Sequence, residues 1–68
     1  MSKGKVKYFN DVKGWGLIAS DNLDKDVYVH YKHINMDGYR TLREGQQVNY
    51  ELDDTDRGYQ AKNVTLEQ

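Results

Sequence analysis

The residues of this chain best suited to bind a ligand are large side chains that recur two positions apart. Trp15 and Leu17 alternate with small or aliphatic residues in one segment, and Tyr28 and His30 alternate with valines in the next. Successive side chains of a β-strand point to opposite faces, so two strands that pair with their aliphatic residues inward would expose all four. Asp26 lies on the same face as Tyr28 and His30, and a charged residue there indicates that this face is exposed to solvent. Because an exposed aromatic patch usually marks a binding surface, stacking on a flat partner is the chemistry that these residues offer.

Other residue patterns do not support catalysis or metal binding. His30 and His33 are three positions apart, but they straddle a predicted strand end, and no Cys, Glu or third His completes a ligand set. Asp53, Asp54 and Asp56 lack the twelve-residue calcium loop and are typical of a hydrophilic turn. The chain has no phosphate-binding Gly-rich lysine motif and no nucleophile elbow. We therefore predict a non-enzyme with no catalytic residues, no metal site and no cofactor.

Length and composition indicate one small domain that covers residues 1–68. A chain of this size buries only about 60% of its unfolded surface, so its core must be small. The sequence contains no cysteine, which excludes disulfides and fits a reducing compartment. No segment has the length of a signal-peptide apolar region or of a membrane span. We expect a soluble cytoplasmic protein with no membrane partner and no small-molecule substrate.

Charge is unevenly distributed along the chain, although ten basic and eleven acidic residues give a net charge of −1. The part up to Leu17 carries four lysines against Asp11 alone, whereas four acidic residues cluster between Glu51 and Asp56. The simpler interpretation is that both groups of charged residues lie on solvent-exposed loops and strand faces, as runs of charge usually do. The alternative interpretation is a locally basic patch beside Trp15, with the acidic end turned elsewhere.

The hydrophobic pattern predicts five short strands and no sustained helix. The strands cover 4–10, 15–20, 27–31, 47–52 and 60–66, with turns over 11–14, 21–25 and 53–58 and a long loop over 32–44. Closure into a small barrel removes exposed strand edges, so we predict an all-β domain, a five-stranded antiparallel Greek-key β-barrel of the OB-fold type. An SH3-like barrel has the same number of strands and is the alternative fold that strand count alone leaves open. Tyr50 is expected to be half-buried, and the residues expected to point inward are Val6, Ile18, Val27, Val29, Ile34, Val48, Leu52 and Val64.

Four segments resemble, in order and spacing, successive blocks of the bacterial cold-shock proteins. They are residues 4–10 (GKVKYFN), 13–18 (KGWGLI), 26–31 (DVYVHY) and 57–64 (RGYQAKNV). The second and third look like the two ribonucleoprotein motifs of that family, and the resemblance covers essentially the whole chain. It implies an OB-fold barrel that binds single-stranded RNA and single-stranded DNA, acts as an RNA chaperone and influences transcription and translation.

The chemistry of the residues and the resemblance together predict a binding site of aromatic, cationic and polar residues, in which the outer face of Tyr8 and the role of Tyr39 rest on the resemblance. The apolar and flat contacts would be Tyr8, Trp15, Leu17, Tyr28, His30, Tyr31 and Tyr39; phosphates or bases would meet Lys7, Lys13 and Arg57, and base edges would meet Asp26 and Gln60. Stacking contributes roughly 1 to 3 kcal/mol per base whatever the base, so low sequence specificity is expected. Strict alternation would place Tyr8 inside with Val6, and its outer position requires a β-bulge.

Several positions depart from the family pattern. Tyr8 stands where tryptophan is usual, and Tyr59 stands where proline is common. Leu17 stands where an aromatic residue is usual, which keeps an apolar contact but removes a π-face. One stacking contact is therefore expected to be weakened or lost, with Trp15 beside it offering a larger face.

Other functions remain open from the residues alone. Trp15 could be the largest residue of the core, and an exposed aromatic face could dock a peptide, a second copy of the chain or an oligosaccharide. The lysines near Trp15 favour nucleic acid among these. We expect a monomer, with a strand-swapped dimer as the alternative.

Overall fold

Five strands and one turn of 3-10 helix follow one another in the computed structural model, which describes residues 2–21 and 24–67. The strands are β1 (Ser2–Asn10), β2 (Trp15–Ser20), β3 (Asp26–His30), β4 (Gln47–Thr55) and β5 (Gly58–Leu66), and the 3-10 helix covers Tyr31–His33. The predicted strands are confirmed with small changes at their ends. Tyr31 begins the helix instead of ending β3, and the predicted turn over 53–58 shrinks because β4 continues to Thr55. The predicted turn over 21–25 contains Asn22 and Leu23, which lie outside the described residues.

The strands close into a barrel in the order β1-β2-β3-β5-β4. β4 follows β3 along the chain but lies between β5 and β1, which is the crossover that a Greek key requires. The all-β five-stranded barrel predicted from the sequence is confirmed. Its described pairings are antiparallel except at β3 and β5, which run parallel with Tyr28 opposite Gln60.

The core fills the inside of this barrel. Its buried residues are Val6, Ile18, Val27, Val29, Ile34, Leu42, Val48, Tyr50, Ala61 and Val64. Seven of the eight residues predicted to point inward are among them. The prediction for Leu52 was wrong, because this side chain is 38% exposed. β1 pairs with β4 only from 47 to 50, so Leu52 lies in the part of β4 that has β5 as its one described partner.

Two irregularities adapt the strands to the curvature of the barrel. The register between β1 and β2 shifts between Val6 and Tyr8, which confirms the predicted bulge. The register between β4 and β5 also shifts, and Asn63 adopts a positive φ of 51° in that part of β5. Asparagine tolerates this left-handed conformation better than most residues other than glycine.

Candidate nucleic-acid interface

One row of outward-facing side chains crosses four neighbouring strands. Tyr8 of β1 lies opposite Leu17 of β2, and Leu17 lies opposite Tyr28 of β3. Tyr28 in turn lies opposite Gln60 across the parallel pairing of β3 with β5. A second row places Trp15 opposite His30. We call the five apolar or flat residues of these rows the aromatic platform: Tyr8, Trp15, Leu17, Tyr28 and His30.

The platform faces outward because the alternate residues of the same strands are core residues. Val27 and Val29 of β3 are fully buried, so Tyr28 between them points to the other side and is 37% exposed. Ile18 is likewise buried in β2, and Trp15 and Leu17 keep partial exposure. Alternation between core and platform therefore fixes the direction of each of these side chains.

The bulge in β1 brings Tyr8 to the same face. Val6 lies opposite Ile18 and Tyr8 lies opposite Leu17, so two steps along β1 correspond to one step along β2. Lys7 is the additional residue, and beyond it Tyr8 is 41% exposed instead of buried with Val6. An extra residue on one strand of an antiparallel pair reverses the facing of the residues beyond it.

Ring contacts hold the platform together. The centroid of the Trp15 ring lies 5.7 Å from that of Tyr8, at an interplanar angle of 62°. It lies 6.1 Å from that of Tyr28, at an angle of 23°. Both separations fall in the range that aromatic pairs favour, and such pairs restrict the positions of one another's rings. Trp15 is therefore a platform residue rather than a core residue.

Tyr31 extends the aromatic surface beyond His30. The two ring centroids are 4.6 Å apart, and the backbone N–H of Tyr31 donates to the carbonyl oxygen of Gly14 at 2.8 Å. Gly14 has a positive φ of 78°, and a Cβ there would lie 2.5 Å from Cδ1 of Tyr31. The Tyr31 ring therefore packs directly against a backbone position that has no room for a side chain.

Two open grooves continue the platform at its ends. The first has a volume of about 420 Å³ and is lined by Asp11, Val12, Lys13, Gly14, Tyr31, Gly38, Tyr39 and Arg40. The hydroxyl of Tyr39 donates to the backbone carbonyl oxygen of Asp11, which ties the two loops of this groove together. The second has a volume of about 380 Å³ and is lined by Tyr28, Thr55, Arg57, Gly58, Tyr59 and Gln60. Tyr28 belongs to both the platform and this second groove.

An ion pair borders the platform. Nζ of Lys7 lies 3.0 Å from Oδ2 of Asp26. Since β2 separates β1 from β3, this ion pair spans β2, where Ala19 lies opposite Asp26. Both partners are among the residues predicted to contact nucleic acid, and here they contact each other.

All twelve predicted site residues lie on one continuous band. Five form the aromatic platform, Lys7 and Asp26 form the ion pair at its border, and the remaining five line the two grooves. Arg40 and Tyr59 also line the grooves and were not predicted as site residues. Each is adjacent in the sequence to a predicted residue, Tyr39 or Gln60, and this adjacency is the signal that could have identified it.

Within the described part of the chain, no group of three or more His, Asp or Glu side chains is placed to hold a metal ion. The same residues include no helix with the length and apolarity needed to cross a membrane.

Comparison with known proteins identifies the family. Residues 2–67 match the sequence model of the "Cold-shock" DNA-binding domain. The chain belongs to the cold-shock domain family. It is 52% identical over 64 residues to the cold shock-like protein CspA of Stigmatella aurantiaca, with 94% of each chain covered. It is 48% identical over 65 residues to the cold shock protein ScoF of Streptomyces coelicolor, covering 96% of this chain and 97% of that one.

Membership of this family decides the broad function. A cold-shock domain binds nucleic acid and is not an enzyme, so the aromatic band belongs to a nucleic-acid-binding protein. The prediction of a non-enzyme in the cold-shock family is confirmed.

Proposed function

We propose that this cold-shock domain binds single-stranded RNA and single-stranded DNA with low sequence specificity, by stacking unpaired bases on the aromatic platform. The observation that carries the proposal is the in-register row of Tyr8, Leu17 and Tyr28 with Trp15 in contact with both tyrosine rings. Unpaired bases expose their flat faces whatever their identity, whereas a duplex hides them in its own stack. A surface of rings on a rigid sheet therefore favours single strands.

Charge plays a secondary part in the proposed binding. Lys13 lines the first groove and Arg57 the second, so cations lie at both ends of the platform. Lys7 adds a third once a phosphate displaces Asp26. We expect about two to four counterions to be released, which gives a slope of log K against log salt of roughly −1.5 to −3. Stacking contributes roughly 1 to 3 kcal/mol per base, so the sum over several stacked bases exceeds the charge contribution at physiological salt.

The proposed cellular activity is that of an RNA chaperone in the cytoplasm. A protein that binds unpaired strands and not duplexes shifts the equilibrium of an RNA hairpin toward its open form by mass action. Trapping open strands in this way would prevent or melt secondary structure in transcripts and so influence transcription and translation. The proposed working form is a monomer, with a strand-swapped dimer as the alternative.

Trp15 provides the signal for the decisive experiment, because it is the single tryptophan of the chain and lies on the platform. Titration with a short oligopyrimidine should quench its fluorescence at low salt, and a duplex of equal length should leave it unchanged. Repeating the titration at higher salt gives the charge contribution. Unchanged fluorescence together with no retardation of single strands in a gel would refute the proposal.

A second measurement tests the chaperone activity itself. A hairpin RNA labelled at both ends should open at a lower temperature when the protein is added. The Trp15→Ala variant should lose most of this effect, because it removes the ring that contacts both Tyr8 and Tyr28. A hairpin whose melting temperature does not change, with a protein that still binds single strands, would remove the chaperone activity from the proposal and leave the binding intact.

A further inference from the structure

The last part of β4 is an open edge of the sheet. β1 pairs with β4 only as far as Ser2 opposite Tyr50, and beyond that point β5 is the one described partner of β4. On the side away from β5, the backbone of residues 51–55 therefore has no sheet partner among the described residues. We call residues 51–55 the β4 edge. The unpaired N–H and C=O groups of such an edge are a template for pairing with another extended chain.

An apolar side chain is exposed on the β4 edge. Leu52 is 38% exposed, although it is two residues from the fully buried Tyr50 on the same strand. The buried Ala61 lies opposite Leu52 on the β5 side, and no described strand lies on its other side. A residue on an added strand would have its Cβ atom about 5 Å from that of Leu52 and would cover it.

The other side chains of this segment are mostly acidic. Asp53 forms an ion pair with Lys62 of β5, whose Nζ lies 3.1 Å from Oδ2 of Asp53. Glu51 and Asp54 are exposed, and neither forms an ion pair with a described residue. Because one lysine cannot neutralise three carboxylates, the β4 edge keeps a negative charge. This charge indicates what kind of strand the edge can accept.

A second copy of β4 does not suit this edge. If two copies paired antiparallel about Asp53, each Asp53 would face its counterpart and Leu52 would face Asp54. Registers shifted by one residue in either direction also place acidic residues opposite each other. Like charges on opposite strands destabilise a sheet, and charged residues protect natural edges against self-pairing. The same carboxylates attract a strand that carries positive charge.

We propose that the β4 edge binds an extended segment of a basic protein by strand addition, and that Lys or Arg alternates with apolar residues in this segment. Main-chain hydrogen bonds to β4 hold the added strand, and its alternate side chains give the specificity. Its basic residues meet Glu51 and Asp53, and an apolar residue covers Leu52. An edge of five residues gives a small interface, so the association is weak and reversible.

This surface is separate from the nucleic-acid interface. The aromatic platform lies on β1, β2 and β3, whereas the added strand lies beside β4. A nucleic acid and the basic segment therefore do not compete for the same residues. Binding of both at once would place a basic protein segment next to a bound single strand.

The test follows the NMR amide signals of isotope-labelled protein at low salt during titration with short capped peptides. In the first peptide lysine alternates with valine. The second has the same side chains but carries a methyl group on every backbone nitrogen, and the third has glutamate in place of lysine. The first peptide should shift the signals of residues 51–55 and slow their hydrogen exchange. The other two should leave both unchanged, because one lacks the backbone donors and the other is repelled.

Two variants of the edge test its side chains. Glu51→Lys reverses one charge and Leu52→Ser removes the apolar contact, and each should weaken binding of the lysine–valine peptide by about threefold or more. Asp37→Lys makes the same charge change as Glu51→Lys in the exposed loop before β4 and should keep the wild-type affinity. Thermal unfolding of each variant verifies the fold.

The remaining outcomes overturn the inference. Equal shifts with the methylated peptide would mean that charge alone attracts it, without strand addition. Signals of residues 51–55 that change with protein concentration before any peptide is added would assign the edge to a second copy. No shift at these residues with the lysine–valine peptide would leave the edge without this partner. Quenching of Trp15 by an oligopyrimidine is measured in the same samples, so failure of either proposal is seen independently of the other.

Discussion

Tyr8 lies opposite Leu17 although only one residue separates it from Val6, which points into the core. In a regular strand, residues two apart share a face, so Tyr8 would be buried with Val6. The additional residue, Lys7, breaks this alternation, so Tyr8 points outward and becomes the platform residue of β1. Lys7 itself already points outward by alternation with the inward Val6, and its side chain crosses β2 to reach Asp26. The irregularity of the backbone therefore places the Tyr8 ring on the same outer face as the ion pair.

The first prediction concerns that ring. Tyr8→Ala should weaken the binding of single strands by about 1 to 3 kcal/mol, because it removes one stacking surface. The free energy of unfolding should fall by no more than about 2 kcal/mol, since the side chain is 41% exposed and its main ring contact is with Trp15. Tyr8→Phe keeps the ring and serves as the control, with nearly wild-type affinity. Fluorescence titration and urea unfolding measure the two quantities, and a Tyr8→Ala variant with wild-type affinity would contradict the role given to this ring.

The sequence was sufficient for those features of the fold that depend on neighbouring residues. Alternation located all five strands and seven of the eight inward-facing residues. It failed at Leu52, where exposure depends on how far β1 extends along β4. It also underestimated the burial of Tyr50, which shares the parity of Val48 and is fully enclosed by the barrel.

The candidate site was predictable in its residues but not in its arrangement. The bulge that exposes Tyr8 came from the family resemblance, because alternation alone places this residue inside. Lys7 and Asp26 are 19 residues apart, and their ion pair depends on the order of β1, β2 and β3 in the sheet. The parallel pairing of Tyr28 with Gln60 joins strands that are distant along the chain, and no local pattern indicates it.

A second prediction concerns the Lys7–Asp26 ion pair. Asp26→Asn frees the Lys7 ammonium group for a phosphate, so single strands should bind more tightly at low salt. The slope of log K against log salt should become steeper by up to about 0.7, the contribution of one phosphate contact on a single strand. Asp24→Asn makes the same change in net charge in the turn before β3 and is the matched control. An equal effect in both variants would show that only the overall charge matters, and weaker binding in Asp26→Asn alone would show that this carboxylate contacts the bases.

The third prediction concerns the core. Tyr50 is fully buried, and its hydroxyl has no hydrogen-bond partner among the described residues. A buried polar group without a partner costs about 1 to 3 kcal/mol, so Tyr50→Phe should leave the protein equally stable or raise its free energy of unfolding by up to about 1 kcal/mol. Urea unfolding with an unchanged m-value tests this expectation. Binding should not change, because Tyr50 points away from the platform. A loss of more than about 1 kcal/mol would reveal a partner for the hydroxyl, such as an internal water molecule.

The last prediction links a backbone position to the site. Gly14 and Gly38 have nearly the same positive φ, 78° and 77°, so replacing either by alanine incurs a similar conformational cost of about 1 to 2 kcal/mol. Their surroundings differ, because a Cβ at Gly14 would meet the Tyr31 ring at 2.5 Å, whereas nothing lies within 4 Å of one at Gly38. Gly14→Ala should therefore destabilise the protein more than Gly38→Ala.

The affinity for single strands should also differ between Gly14→Ala and Gly38→Ala. Displacement of Tyr31 by the new methyl group in Gly14→Ala moves the ring that extends the platform past His30, and affinity for single strands should fall by about 1 kcal/mol or more. Gly38→Ala adds its methyl group in open space and should bind more nearly like the wild type. Urea unfolding and Trp15 fluorescence titration of both variants give the two comparisons. If Gly14→Ala and Gly38→Ala lose the same stability and the same affinity, backbone strain alone explains the effect of replacing Gly14. The close contact between Gly14 and Tyr31 would then have no part in shaping the site.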